Sequence, residues 1–265
     1  MTDHSAEKRV PMGHTLFSAR GMATKRLPER REWRMIDTEL DAGGAFAMDM
    51  GQARELLVEY GKRMSADRLS IGTSGNLSVY DPDSGRMAIT PSGLDYVSTT
   101  PEDIVVTDLD AHVVEGTRKP SSEWALHTLF YRSHPEARAV VHTHSMYCTT
   151  LAVLGTPLRA VHYAIAAAGT AEVPCAPYRL FGTEELAKEA VRACGKGRAV
   201  LLGNHGLVTW GEDLAGAYKL ACDLEFVAEL QWRAMAVGAP RVLTEAEMDA
   251  VMLRFRTYGQ QKDEA

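Results

Sequence analysis

The chain has 265 residues, of which 45% are hydrophobic and 24% charged, and its formal net charge is −6. These values are typical of a folded globular protein, and the length allows one large domain with a sizeable core. The negative charge, with a pI near 5.9, argues against a nucleic-acid surface, because neutralising a phosphate backbone requires clustered Lys and Arg. No segment is apolar over enough residues to predict a membrane span. We therefore expect neither a nucleic-acid nor a membrane partner.

The cysteines indicate a reducing compartment. Cys148, Cys175, Cys194 and Cys222 show no C-x-x-C spacing and lie among apolar residues, which is more typical of buried thiols than of a disulfide framework. Because no secretory signal is visible at the start of the chain, we expect a cytoplasmic protein.

The domain is predicted to occupy residues 48–265. Residues 1–47 mix Gly, Pro and charged residues without sustained periodicity, which is typical of a solvated extension. From Met50 the apolar residues recur at spacings of three and four, which predicts an amphipathic helix. The first 47 residues are therefore predicted to be an N-terminal extension.

Helical and extended patterns alternate along the domain, and this alternation indicates an α/β protein. Apolar stripes predict helices after Met50 and after Glu123, and further helices at 183–195, 214–236 and from Thr244 to about Phe255. In the last of these, Thr244 and Glu247 form a capping box. Short β-branched runs predict strands at 77–80, 88–90, 139–142 and 199–202.

Three turns rich in Gly, Ser, Thr and Asn interrupt these elements, at 72–76, 90–93 and 120–123. Such turns can direct several neutral donors at one anion. Ser121 or Ser122 is predicted to cap the helix that follows, whose free N-terminal amides favour an anion. Glu123 would then lie in its first turn, where an acid is commonly explained by the helix dipole alone.

Two strand ends carry histidines. Side chains alternate along a strand, so His142 and His144 leave the same face. The apolar run at 199–202 leads into Gly-Asn-His-Gly, which contains His205. Three imidazoles with an open fourth position are the arrangement of a catalytic zinc, although a His-x-His pair alone is as compatible with an ordinary strand face.

The chain has other histidines for which no such pairing is visible. His127, His134 and His162 are predicted to pack in the interior or to support neighbouring side chains, and we assign them no chemistry.

In this order and at these separations, the motifs Gly-Thr-Ser-Gly-Asn, Thr-Pro-Ser-Gly, Pro-Ser-Ser-Glu, His-Thr-His and Asn-His-Gly resemble the class II aldolase and adducin head family. The resemblance runs from about residue 50 to the end. It also includes the segments 161–169, 173–178, 181–183 and 254–259, which are similar to members that cleave L-fuculose 1-phosphate. The first 47 residues take no part in it.

The resemblance implies a role for each motif. His142, His144 and His205 would bind Zn²⁺, with Glu123 beside the metal as the base and Tyr163 reaching from a neighbouring subunit as the acid at the aldehyde oxygen. A second set would hold the substrate phosphate: Thr73, Gly75, Asn76, Ser92, Gly93, Ser121 and Ser122. The aldehyde pocket would be formed by Phe181, Phe255 and Tyr258.

The resemblance also implies the architecture and the reaction. The expected fold is a three-layer α/β/α domain with a mixed, mostly antiparallel sheet, and the expected assembly is a homotetramer with sites between subunits. The expected reaction is zinc-dependent cleavage of a small sugar phosphate, L-fuculose 1-phosphate, into dihydroxyacetone phosphate and L-lactaldehyde through an enediolate.

Related reactions remain as alternatives. The first is cleavage of 5-deoxyribulose 1-phosphate or a related deoxypentulose phosphate. More remote are a methylthioribulose-phosphate dehydratase, a ribulose-phosphate 4-epimerase and a non-enzymatic adducin-like module. Glu123 stands where the epimerases carry Asp, the segment with Phe255 and Tyr258 favours an aldolase, and the adducin type lacks the histidine set.

We predict that deletion of residues 1–45 leaves activity unchanged, because this segment has no periodic apolar face with which to join the core. Activity and assembly of the full-length and shortened proteins would be compared by assay and by size-exclusion chromatography. Loss of either property on deletion would show that the segment is structural.

Overall fold

The structure, a computed structural model, describes residues 49–255, and for Phe255 it describes the backbone alone. The predicted extension at 1–47 and the predicted pocket residue Tyr258 lie outside these residues. No helix within the described range is long and apolar enough to cross a membrane.

Six α-helices lie within the described range, and two 3₁₀ helices, Pro101–Asp103 and Tyr163–Ala168, accompany them. The α-helices are α1 Met50–Ala66, α2 Trp124–Ser133, α3 Met146–Val153, α4 Glu184–Cys194, α5 Leu214–Val237 and α6 Glu245–Phe255. The helices predicted by apolar periodicity are confirmed. The capping box of α6 is also confirmed, because the Thr244 N–H donates to Glu247 Oε2 at 2.8 Å and the Glu247 N–H donates to Thr244 Oγ1 at 3.3 Å.

The described residues also form ten strands. They are β1 Asn76–Asp81, β2 Arg86–Ile89, β3 Val105–Thr107, β4 Val113–Glu115, β5 Ala139–Thr143, β6 Leu158–Arg159, β7 Glu172–Val173, β8 Cys175–Ala176, β9 Ala199–Leu202 and β10 Gly206–Gly211. Strands β3, β4, β6, β7, β8 and β10 were not predicted; the first five of these have two or three residues, too few to show a period of two.

Eight of these strands form one sheet in the order β4-β3-β2-β1-β5-β10-β9-β8. All the pairings in it are antiparallel except that of β8 with β9. The central strand β5 places His142 opposite Asn76 of β1 and opposite Val208 of β10. The predicted mixed, mostly antiparallel sheet is confirmed.

Helices cover both faces of the sheet, and the side chains of β5 show how the layers divide. Ala139 and Val141 belong to an apolar cluster with residues of α1, α3 and α5. Val140, between them, belongs to a second cluster with residues of α2 and α4. The three-layer architecture is therefore confirmed, and the alternation along β5 places His142 on the face covered by α2 and α4.

Candidate active site

The three predicted metal ligands meet at one end of β5. His142 lies in β5, His144 follows its end, and His205 lies in the turn between β9 and β10. Their ligand nitrogens lie within 4.8 Å of one another, and the Nε2 atoms of His142 and His144 are 3.0 Å apart. For comparison, two ligands of a tetrahedral zinc with bonds of about 2.0–2.1 Å are roughly 3.3 Å apart. The three imidazoles can therefore share one ion.

Their protonation also suits a metal. His142 Nδ1–H donates to the Leu207 carbonyl at 3.0 Å, which leaves the Nε2 lone pair directed at the other two rings. Burial is the main cause that lowers the pKa of His142, and it also lowers the pKa of His144 and His205. All three rings are therefore neutral near pH 7, which is the form that binds metals.

The glycine after His205 allows this close approach. A Cβ on Gly206 would lie 2.2 Å from the Thr143 carbonyl oxygen and 3.2 Å from the His144 ring. Any side chain there would separate β10 from β5. On the other side of His205, Asn204 turns the chain with a φ of 55°, a left-handed conformation that asparagine tolerates better than most residues.

The structure places Glu123 differently from the prediction. Glu123 is the residue before α2, not part of its first turn, and neither Ser121 nor Ser122 caps that helix. Instead, Ser121 Oγ accepts a hydrogen bond from the Glu123 N–H at 3.2 Å. The reason is that the chain is still turning at Glu123, so its carboxylate points inward, away from the helix terminus.

The carboxylate of Glu123 is buried against the histidines. Oε2 lies 3.3 Å from His142 Nε2, and Oε1 lies 3.5 Å from His205 Nε2. Oε1 has no hydrogen-bond partner among the described residues. Burying a carboxylate oxygen without a partner is costly, and a cation among the three imidazoles would offset that cost. The donor set of three neutral nitrogens and a carboxylate therefore fits a divalent metal.

The first Gly-rich turn reaches the same place. Asn76 Nδ2–H donates to Glu123 Oε2 at 2.9 Å. Gly75 has a φ of 75°, and a Cβ there would lie 2.4 Å from Ser70 Oγ and 2.7 Å from the His142 carbonyl oxygen. This turn packs directly against the backbone of the metal-site strand, and only glycine fits at its closest point.

A cavity of about 490 Å³ opens beside Glu123, His144 and His205. All the residues predicted to hold phosphate line it, namely Thr73, Gly75, Asn76, Ser92, Gly93, Ser121 and Ser122. Two backbone hydrogen bonds join the second and third turns: the Ser92 N–H donates to the Lys119 carbonyl and the Ser121 N–H to the Thr90 carbonyl. The structure thus brings three distant motifs to one cavity.

Phe181 lines the cavity, and so do five residues for which the sequence predicted no role, namely Ser74, Pro91, Tyr178, Arg179 and Asn204. Arg179 is the only Arg or Lys among the described residues that line it, and it pairs with Glu189 at 3.2 Å. Tyr178 and Asn204 belong to sequence motifs that were noted for other residues, so their position at the cavity could have been predicted from the sequence. Nothing in the pattern distinguished Arg179 from a surface arginine.

Tyr163 does not lie at this cavity. It is 53% exposed and lines a separate cleft of about 540 Å³ with residues of α5 and α6, among them Lys219 and Val251. Within one chain the structure therefore does not bring Tyr163 to the histidines. The side chain of Phe255 and all of Tyr258 lie outside what the structure describes.

The three histidines that were assigned no chemistry are engaged in hydrogen bonds. His134 Nε2 is 3.0 Å from the Gly195 carbonyl oxygen, and His162 Nδ1 accepts from the Ala164 N–H at 3.2 Å. His127 is buried on α2 and bonded to Asn76 and Ser78. None of the three lines the cavity.

Comparison with known proteins agrees with this geometry. The family described as Class II Aldolase and Adducin N-terminal domain matches residues 55–232, which is more than half of the chain. The chain therefore belongs to that family, as its motifs predicted.

Several similar proteins are aldolases by name. A 5-deoxy-D-ribulose 1-phosphate aldolase of Bacillus thuringiensis is 45% identical over 81% of this chain and 100% of the relative. An L-fuculose phosphate aldolase of Escherichia coli K12 is 38% identical over 80% of this chain and 98% of the relative. A solved structure of L-fuculose 1-phosphate aldolase is 40% identical, with a TM-score of 0.76, over 81% of this chain and 100% of that one. The protein is accordingly a class II aldolase, a lyase.

We predict that His205→Ala folds but retains less than about a tenth of the metal bound by the unchanged protein, because two imidazoles are too few to hold a divalent ion tightly. Metal content would be measured by elemental analysis after purification, with circular dichroism to verify folding. His134→Ala is the matched control, because it removes a buried imidazole that is not part of the triad. Equal metal in both variants would contradict the assignment.

Proposed function

We propose that the protein is a zinc-dependent aldolase that cleaves a ketose 1-phosphate into dihydroxyacetone phosphate and an aldehyde. The observation that carries this proposal is the Glu123 carboxylate. It points into the histidine triad, its Oε1 has no partner among the described residues, and it borders a cavity lined by neutral hydrogen-bond donors. The substrate carbon that loses a proton, the Glu123 base and a metal held by the histidines would meet there.

The residues proposed to hold the phosphate are neutral donors. The three turns supply hydroxyl, amide and backbone N–H donors, and Ser121 and Ser122 lie just before Glu123, the residue that precedes α2. The N-terminus of a helix carries a partial positive charge and free N–H groups, so it favours an anion. We infer that Thr73, Gly75, Asn76, Ser92, Gly93, Ser121 and Ser122 bind the monoester.

The metal would be Zn²⁺ held by His142, His144 and His205, whose donor set fits it. When bound, zinc supplies a Lewis acid that stabilises negative charge on the substrate's ketone and hydroxyl oxygens. The protein's own residues keep the three rings neutral and directed at one point.

Glu123 is proposed to move the proton. In the direction of condensation, its Oε1 would take a proton from the hydroxymethyl carbon of dihydroxyacetone phosphate, giving the enediolate. In the direction of cleavage it would return that proton to the same carbon. Its other oxygen is already engaged by Asn76 at 2.9 Å, so one oxygen is held while the other remains available.

The aldehyde side would involve a second subunit. Tyr163 is exposed and does not line the cavity beside the histidines of its own chain. This position supports a role at the site of a neighbouring subunit, where it would give a proton to the aldehyde oxygen. This proposal requires the homotetramer implied by the resemblance. Phe181 would form part of the aldehyde pocket, and Phe255 and Tyr258 stay predictions for the same pocket. The cytoplasmic location also stays a prediction.

Two substrates are candidates. The relative that is 45% identical acts, by its name, on 5-deoxy-D-ribulose 1-phosphate, and we place that substrate first. L-Fuculose 1-phosphate, which the sequence motifs favoured, is second, supported by the relative that is 38% identical and by the solved structure. Both give dihydroxyacetone phosphate, and their aldehydes, acetaldehyde and L-lactaldehyde, differ by one CHOH group.

We predict that Glu123→Gln stops exchange of the dihydroxyacetone phosphate proton with solvent, lowering its rate by about 100-fold or more. Glutamine has nearly the same shape but cannot accept the proton. Exchange would be followed by NMR in deuterated water, with metal content measured in the same sample.

Tyr163→Phe is the matched comparison, because Tyr163 is proposed to act at the aldehyde oxygen and not at the proton of the triose. We expect it to slow cleavage while leaving proton exchange near the unchanged rate. Exchange at the unchanged rate in Glu123→Gln would show that Glu123 is only a structural acid beside α2.

We predict that the protein releases dihydroxyacetone phosphate from both candidate substrates, with no nicotinamide or other organic cofactor. A single additional polar or apolar group in a pocket of this kind changes kcat/KM by about 10–200-fold, so the ratio of the two values identifies the natural aldehyde. The triose would be detected with a coupled dehydrogenase, and the sugar products by NMR. Formation of an epimer or a dehydrated ketone without triose phosphate would contradict the proposed reaction.

A further inference from the structure

A chain of buried hydrogen bonds leads from Glu123 into the core between the sheet and α2. Asn76 Nδ2 lies 2.9 Å from Glu123 Oε2, and Asn76 Oδ1 lies 2.5 Å from His127 Nε2. His127 Nδ1 lies 2.6 Å from Ser78 Oγ, which lies 2.6 Å from the Tyr131 hydroxyl. All five side chains are buried. The cavity wall therefore has an ordered polar network behind it.

The direction of every hydrogen bond in this network follows from its chemistry. An ionised carboxylate only accepts, so Asn76 must turn its NH₂ group toward Glu123. The Asn76 carbonyl oxygen then accepts from His127 Nε2–H, which leaves His127 Nδ1 as an acceptor. Ser78 Oγ–H must donate to that nitrogen, and the Tyr131 hydroxyl must donate to Ser78. This assignment holds for a neutral His127 ring; with both ring nitrogens protonated, Ser78 would instead accept from His127 and donate to Tyr131.

The network contains no charge besides that of Glu123. His127 is fully buried, and this burial, followed by the influence of His142, lowers its pKa to about 3. A neutral ring that cannot add a charge can act only through its orientation and its hydrogen bonds. The single N–H that His127 directs at Asn76 is therefore its contact with the site.

We propose that His127 is a positioning residue for Glu123, because its Nε2–H holds Asn76 with the amide NH₂ toward Oε2. Without that donor the side-chain amide of Asn76 could rotate and present its carbonyl oxygen to the carboxylate, which would repel Glu123. The held orientation fixes one oxygen of Glu123 and leaves Oε1 directed at His205. This inference rests on the proposed role of Glu123 as the base.

The test compares His127→Phe with His134→Phe. Both changes remove a buried imidazole, one in α2 and one immediately after it, but His134 contacts the Gly195 and Phe130 carbonyls, outside the network. For His127→Phe we expect kcat and the triose proton-exchange rate to fall about 10–100-fold, with metal content little changed. For His134→Phe we expect kcat to stay within about twofold of the unchanged protein, even if its thermal stability falls.

A rescue variant separates positioning from packing. In His127→Gln the side-chain amide can again donate to Asn76, so we expect part of the lost exchange rate to return, whereas filling the space with Phe does not restore it. Equal exchange rates in His127→Phe and in the unchanged protein would overturn the proposal. So would an equal loss of kcat in His134→Phe.

One measurement does not depend on catalysis. Nitrogen-15 NMR of the imidazoles in the intact, metal-loaded protein should show His127 neutral and protonated at Nε2, and the shift of that nitrogen should change in Asn76→Ala. The opposite tautomer would overturn the proposed network even if the enzyme is active. An unchanged protein that exchanges no triose proton, with the expected tautomer present, would instead contradict the proposed function.

Discussion

The pairing of β5 with β10 is the constraint on which the candidate site depends. The two strands approach so closely at Gly206 that a side chain there would overlap the Thr143 carbonyl. That approach lets the Leu207 carbonyl accept from His142 Nδ1 and places His205 beside His142 and His144. The pairing of these two strands thus brings the three imidazoles together and fixes the tautomer of His142.

The second contribution comes from the start of α2, where charge and burial oppose each other. A carboxylate that is 6% exposed with an oxygen lacking a partner among the described residues is expensive in isolation. Its position is understandable if a cation completes the site. The same turn carries the hydroxyls that border the cavity, so one short segment joins the proposed base to the proposed phosphate site. In our proposal the two ends of a triose phosphate lie against these two parts of one cavity.

The residues proposed to act on the aldehyde do not all lie at the cavity of one chain. Within one chain the histidines, Glu123 and the neutral donors come together, whereas Tyr163 lies at a different cleft. In our proposal the triose end is defined by a single subunit, and the aldehyde end is completed by a neighbour. Members of the family could then differ in aldehyde while keeping the same metal and base, which agrees with the two substrates named among the similar proteins.

The sequence by itself determined the family, the alternation of helices and strands, and the motifs that meet at the site. Those features are local: His142 and His144 share a face because strands have a period of two, and Thr244 and Glu247 cap a helix because they are three residues apart. Tertiary structure decided the rest. The Glu123 carboxylate points at the histidines, Arg179 lines the cavity, and His127 is hydrogen-bonded to Asn76. These contacts join residues far apart in the chain, so their geometry depends on how the sheet and α2 pack, which no local pattern records.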